Sequence, residues 1–153
     1  LFGLLDEKLS DLSDSKMVHQ NRVKVEFLGD EKYWGTLKEN IDELESRTEE
    51  YNRHGMKICL GYGGKKEILE AAEKLSDSEK EFSEENFEKY LYSDQDIDLI
   101  LRTGGYQRLS NFMLWQSSYA ELYFEESLWP ELEKEDFLQA IDYFEKTERK
   151  FGK

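Results

Sequence analysis

The passage from Ile97 to Phe112 narrows most what this chain can fold into. An apolar run, Ile97 to Leu101, ends in Arg102-Thr103-Gly104-Gly105, and Tyr106-Gln107-Arg108-Leu109-Ser110-Asn111-Phe112 follows. The run reads as a buried strand that empties into a tight loop, with cationic and hydroxyl groups gathered at its carboxyl end. An α/β protein places a ligand there. Two arginines side by side in a chain of net charge −14 ask for an anion. A phosphate or diphosphate fits, because guanidinium forks hold its oxygens in pairs and glycines let backbone N–H groups come close. On the residues alone, the same stretch also reads as a strand end with two surface arginines and an ordinary Gly-Gly turn.

The rest of the chain alternates strand and helix patterns. Leu1, Leu5, Leu9 and Leu12 recur at helical spacing, supported by Phe2 and Leu4, and the polar stretch Ser10 to Asn21 ends that helix. Val23, Val25 and Phe27, closing on Leu28-Gly29-Asp30, read as a strand. Leu37, Ile41, Leu44 and Tyr51 mark an amphipathic helix. Met56 to Leu60 is a second strand, turned by Gly61-Tyr62-Gly63-Gly64. Ile68, Leu69, Ala71, Ala72 and Leu75 form the next helix. Asp77 to Phe82 is a charged connector, and Ser83 caps a short helix carrying Phe87, Tyr90 and Leu91. Ile97 to Leu101 is the third strand. Leu109 to Ser118 is expected to be helical, Glu121 to Phe124 a short aromatic strand, and Trp129-Pro130 a break. A last helix carries Phe137, Ile141 and Phe144, with Phe151 near its end. Crossovers of this length imply an α/β fold: a mostly parallel sheet with helices on both faces. Residues 1–153 read as a single domain.

Charge and cysteine content exclude several function classes. The acidic balance argues against a nucleic-acid partner and leaves no general basic face for anionic membranes. The one cysteine, Cys59, stands in an apolar run and reads as a packed thiol rather than a nucleophile. His19 and His54 lie in separate segments without ligand-like neighbours and read as surface residues. No apolar run approaches the roughly eighteen residues of a membrane span. The expectation is a cytoplasmic protein, with any membrane contact peripheral.

The residues around the loop carry a longer pattern. Arg102-Thr103-Gly104-Gly105, Arg108-Leu109-Ser110-Asn111-Phe112, Leu114-Trp115-Gln116, Tyr119-Ala120-Glu121-Leu122-Tyr123-Phe124 and Leu128-Trp129-Pro130 closely resemble the signature of the cis-prenyltransferases, the family of undecaprenyl and dehydrodolichyl diphosphate synthases. Arg22 to Asp30 resembles the family's strand ending in Leu-Gly-Asp. Tyr62-Gly63-Gly64 with Glu67-Ile68 resembles its Tyr-Gly-Gly-Arg turn, and Arg149 to Gly152 its basic C-terminal ending.

The resemblance implies an enzyme that condenses isopentenyl diphosphate with an allylic diphosphate, of farnesyl or geranylgeranyl type, to give a cis-polyprenyl diphosphate for lipid-carrier synthesis. Arg102, Arg108 and Ser110 match the residues that hold the diphosphate of isopentenyl diphosphate, and Gly104 and Gly105 would shape that loop. Glu121 matches the Mg²⁺-binding glutamate, so the implied cofactor is Mg²⁺ and Glu121 the implied catalytic and metal residue. Trp115, Tyr119, Tyr123, Phe124 and Trp129 read as core or subunit-interface aromatics, and the implied assembly is a homodimer.

Two departures from the family pattern stand out. Tyr106 and Gln107 replace the glutamate and histidine of many members, a replacement compatible with archaeal-type members. The family's N-terminal loop, Asp-Gly-Asn-Gly-Arg-Arg-Trp, and its Ser-x-Glu-Asn-Trp segment find no match. The expectation is therefore that the chain corresponds to the C-terminal two thirds of the enzyme. It would need an N-terminal half from a longer parent chain or a second polypeptide, and would otherwise expose a sheet edge. Two other readings are a non-catalytic partner subunit of a two-component cis-prenyltransferase, which retention of Arg102, Arg108, Ser110 and Glu121 disfavours, and an acidic α/β interaction module.

Overall fold

The computed structural model describes residues 2–149, with Phe2 described by its backbone alone. The expectations resting on Leu1, the Phe2 side chain, Phe151 and the 150–152 ending lie outside the described residues. The chain is α/β, with parallel strands and helices, and divides into two compact units, Leu1–Gly63 and Gly64–Lys153.

The first unit opens with α1 (Phe2–Ser13) and α2 (Lys16–Gln20). The helical pattern thus runs further into the polar stretch than expected, and a second short helix follows it. Strand β1 (Val23–Leu28) pairs in parallel with β2 (His54–Cys59), from Val23 opposite His54 to Leu28 opposite Cys59. Between them lie two 3₁₀ turns and α3 (Lys38–Thr48). The expected helical spacing of Leu37, Ile41 and Leu44 is realised: all three are fully buried. They form one core with Leu9, Val18, Val25, Phe27 and Trp34. Tyr51 falls beyond α3, and its hydroxyl lies 2.9 Å from Nδ1 of His19. Nε2 of that ring lies 2.7 Å from the Ser13 carbonyl, so His19 is a partly buried structural residue rather than a surface one.

The sheet edge expected to be open is partly covered. In a parallel ladder alternate residues face each neighbour. Arg22 and Leu28 accept bonds from His54 and Leu60, so the amides of Val25 and Phe27 face away from β2. Helix α3 supplies their partners. The Val25 N–H donates to Thr48 Oγ1 at 3.1 Å and the Phe27 N–H to Glu45 Oε1 at 2.7 Å. Two side chains thus stand in for part of a neighbouring strand.

The second unit begins with α4 (Gly64–Ser76) and α5 (Glu84–Glu88). Ser83 caps α5 as expected, accepting from the Asn86 N–H at 3.3 Å. Strand β3 (Leu99–Arg102) pairs in parallel with β4 (Glu121–Phe124), and α6 (Lys134–Lys146) packs against both. β3 is half-buried along its length rather than buried, because β4 is its one strand neighbour among the described residues. The helix expected over 109–118 is replaced by a chain of turns. Ser110, Asn111 and Met113 take positive φ values of 51°, 65° and 44°, which an α-helix does not admit. Trp115 is half-buried, its indole N–H donating to Glu88 Oε1 at 3.1 Å. Tyr119 and Trp129 are exposed, so they are not core residues of this unit.

Thr48 gives the sharpest test of the first unit. Thr48→Val keeps the shape but leaves the buried Val25 amide without its acceptor, so unfolding stability should fall by about 1–3 kcal/mol. Urea denaturation at neutral pH reads this directly, and an unchanged midpoint would contradict the edge-covering role.

Candidate diphosphate-binding site

The site grows out of the end of β3. Arg102 is its last residue, and there the strand pair hands over to two facing loops. The Glu125 N–H donates to the Arg102 carbonyl at 2.7 Å. The Gly104 N–H then donates to Ser127 O at 2.8 Å and the Gly105 N–H to Glu125 O at 2.9 Å. Both glycines hold positive φ, 87° and 73°, which only glycine adopts freely. Their amides are committed to the chain itself. They shape the loop, as expected, but the expectation that glycine N–H groups approach an anion does not hold for these two.

The loop closes back on Arg102. Its Nη1 donates to the Arg108 carbonyl and, at 3.0 Å, to Ser110 Oγ. Its Nε is buried and has no hydrogen-bond partner among the described residues. A buried guanidinium donor left unpaired is costly unless an acceptor meets it. Arg108 is exposed, with its guanidinium carbon 4.2 Å from the centre of the Tyr106 ring. Tyr106, which replaces an acidic residue of the expected pattern, therefore gives Arg108 an aromatic platform without neutralising its charge. Arg102 and Arg108 line a cavity of about 280 Å³ whose remaining wall is Thr103 and the apolar Ile100, Leu101, Leu109 and Phe112. The structure thus sets Arg102 and Arg108 on one opening, with Ser110 bonded to Arg102. Its two fixed cations and a hydroxyl suit a small polyanion, and the apolar wall suits a hydrocarbon attached to it.

Glu121 stands apart from that cluster. It opens β4, half-buried, opposite Leu99, and its N–H donates to Asp98 O at 2.9 Å. Arg102 pairs with Phe124, three residues further on, so about 10 Å of strand separates the level of Glu121 from that of Arg102. Among the described residues no group of three or more His, Cys, Asp or Glu side chains is assembled for a metal. A lone carboxylate nevertheless fits an ion such as Mg²⁺, which takes most of its ligands from phosphate oxygens and water.

A buried polar network supports the loop from below and was not anticipated. Glu67, on α4, is 1% exposed. Its Oε1 accepts from the Tyr92 N–H at 2.8 Å and from Gln116 Nε2 at 2.9 Å, and Gln116 also donates to Ser93 O at 2.9 Å. The sequence carried one signal for it. Glu67 stands four residues before Ala71 and eight before Leu75, on the buried stripe of the helix. One turn away, the Tyr92 hydroxyl donates to Glu70, and that bond, followed by Lys66, holds the Glu70 carboxyl below its usual pKa.

Comparison with known proteins follows this geometry. A prenyltransferase family model, described as "Putative undecaprenyl diphosphate synthase", matches residues 1–152. The chain is 40% identical, over 99% of its length, to a geranylgeranyl-diphosphate-specific tritrans,polycis-undecaprenyl-diphosphate synthase of Picrophilus torridus. It is 43% identical, over 91% of its length, to an isoprenyl transferase of Thermotoga maritima. It covers 64% and 63% of those relatives, so it spans just under two thirds of the length of the curated proteins it matches. Among solved structures, a probable undecaprenyl diphosphate synthase from Campylobacter jejuni superposes with a TM-score of 0.91 at 37% identity, covering 99% of this chain and 73% of the other. Lavandulyl diphosphate synthase from Lavandula x intermedia, solved with dimethylallyl diphosphate, also gives 0.91, at 27% identity and with 99% and 70% covered. The family match extends over essentially the whole chain and does not itself bear out the expectation that an N-terminal half must be supplied from elsewhere.

The Glu70 carboxyl sets a pH test. A carboxylate with a lowered pKa stabilises the fold above the ordinary carboxylate range and loses that contribution as pH falls through the lowered value. Tyr92→Phe should therefore be less stable than the parent by about 1 kcal/mol at pH 7. The difference should shrink as pH falls through the lowered Glu70 pKa, beneath the ordinary carboxylate range, where the carboxyl protonates in both, as thermal melts from pH 7 downward would register.

Proposed function

The chain belongs to the undecaprenyl diphosphate synthase family of prenyltransferases, and on that premise we propose that it condenses isopentenyl diphosphate with an allylic diphosphate of geranylgeranyl or farnesyl type, making a cis-polyprenyl diphosphate. The observation that best supports this is Arg102, a cation clamped by Ser110 and the Arg108 carbonyl beside a second arginine, with its Nε still unpaired. In this reading Arg102, Arg108 and Ser110 hold the diphosphate of isopentenyl diphosphate, with Gly104 and Gly105 shaping the loop that carries them. Their positive charge offsets that of an anion that must sit beside another anion, and their geometry is fixed before the substrate arrives. Thr103 and the apolar wall keep water from the carbon end of the substrate.

Glu121 is the proposed Mg²⁺ ligand. When bound, the ion neutralises charge building on the leaving diphosphate. The names of the archaeal relatives, which specify geranylgeranyl diphosphate, favour that primer over farnesyl. The proposed assembly is a homodimer, with the exposed Trp129 and Tyr119 as candidate interface aromatics. The proposed location is the cytoplasm, with the product delivered at a membrane surface. No helix among the described residues is long and apolar enough to cross a membrane.

Arg102→Ala or Arg108→Ala should weaken inorganic pyrophosphate binding by about 2 kcal/mol or more, close to thirty-fold, in calorimetric titration. Unchanged affinity in both variants would end the assignment. Glu121→Gln should abolish Mg²⁺-dependent chain elongation and leave the circular dichroism spectrum intact. Full elongation at ordinary Mg²⁺ would make Glu121 a structural residue.

A further inference from the structure

The turns that replace the expected helix at 109–118 have an anchor outside their own segment. The first amides of an α-helix lack partners within the helix. In α4 the Gly64 N–H donates to the Asn111 carbonyl at 2.8 Å, and the Lys65 N–H donates to Asn111 Oδ1 at 2.9 Å. Asn111 is thus the cap of a helix that begins 47 residues before it. Its φ of 65° suits this role, since asparagine is among the few residues that enter the left-handed region readily.

Gly64 makes the contact possible. A Cβ there would lie 2.9 Å from Leu114 Cγ and 3.1 Å from the Leu114 backbone nitrogen. The 109–118 turn therefore sits directly on the first turn of α4, and Gln116 pins it again to Glu67 one turn along. The residue before Asn111 is Ser110, whose Oγ receives Arg102.

We propose that Asn111 is a positioning residue for diphosphate recognition: by capping α4 across the fold of its unit, it fixes the backbone that presents Ser110 to Arg102. This rests on the reading of Arg102, Arg108 and Ser110 as the diphosphate site. Asn111 touches no substrate in this scheme. Its contribution is to hold Ser110 at a backbone angle that serine does not favour.

Asn111→Gly is the informative variant. It keeps the positive φ and the main-chain bond to Gly64 but removes the side-chain cap on Lys65. Inorganic pyrophosphate is the probe, measured by titration calorimetry with parent, Asn111→Gly, Arg102→Ala and Ser83→Ala. The last removes a helix cap in the same unit whose own hydrogen bonds, from the Asn86 and Phe87 amides, stay within α5. The expected result is a loss of about five- to ten-fold in pyrophosphate affinity for Asn111→Gly, comparable with the loss of a good cap. Ser83→Ala should bind as the parent does. Faster hydrogen exchange at the Lys65 amide should accompany the loss in Asn111→Gly. Parental affinity in Asn111→Gly while Arg102→Ala loses binding would overturn the positioning role alone, as would equal losses in Asn111→Gly and Ser83→Ala. If the parent fails to bind pyrophosphate, or Arg102→Ala binds as well as the parent, the diphosphate reading falls and the role of Asn111 falls with it.

Discussion

The second unit depends on one cation being held from several sides. Arg102 ends a strand whose own carbonyl is bonded to Glu125, so its backbone is fixed by the sheet. Its guanidinium is fixed by the loop it helps to close, through Ser110 and the Arg108 carbonyl. A flexible arginine on an acidic chain would collapse onto the nearest carboxylate. This one has its orientation set by neutral acceptors, so its charge remains available to an incoming anion.

The first unit solves a different problem with the same economy. A two-stranded parallel pair leaves amides facing outward on each side, and unpaired amides invite unwanted strands. Thr48 and Glu45 answer from the helix between the strands, so the connection that makes the parallel pairing possible also covers its edge. The expectation of a bare edge considered strands as the only partners for strands.

Most elements were legible in the sequence because their signals were local. Alternation of Val23, Val25 and Phe27, helical spacing of Leu37, Ile41 and Leu44, and Ser83 before an acidic turn each carry their meaning within a few residues, and each formed as read. Arg102, Arg108 and Ser110 were singled out through spacing and resemblance; the two arginines line one cavity and Ser110 accepts from Arg102. The 109–118 segment was misread because Leu109, Phe112, Met113 and Trp115 imitate a helical stripe. What decides its backbone is Asn111 bonding to α4, a partner far away in sequence. Glu67 was passed over for the same reason, since a glutamate on a helix reads as solvated until the donors that bury it are seen. Pairing register was also invisible, and register is what separates Glu121 from Arg102 along the strands.

Two glycines of the second unit differ in what they demand. Around Gly105, at φ 73°, an added Cβ would meet nothing within 4 Å. At Gly64 the backbone is ordinary and the space is already taken by Leu114. The first position is a requirement of handedness and the second a requirement of emptiness. Chemical synthesis separates them: a D-alanine would satisfy Gly105 by mirroring the usual backbone preference, whereas no backbone preference can make room at Gly64. The loop could thus be rebuilt in part from mirror-image residues, while the seam against the helix accepts hydrogen alone.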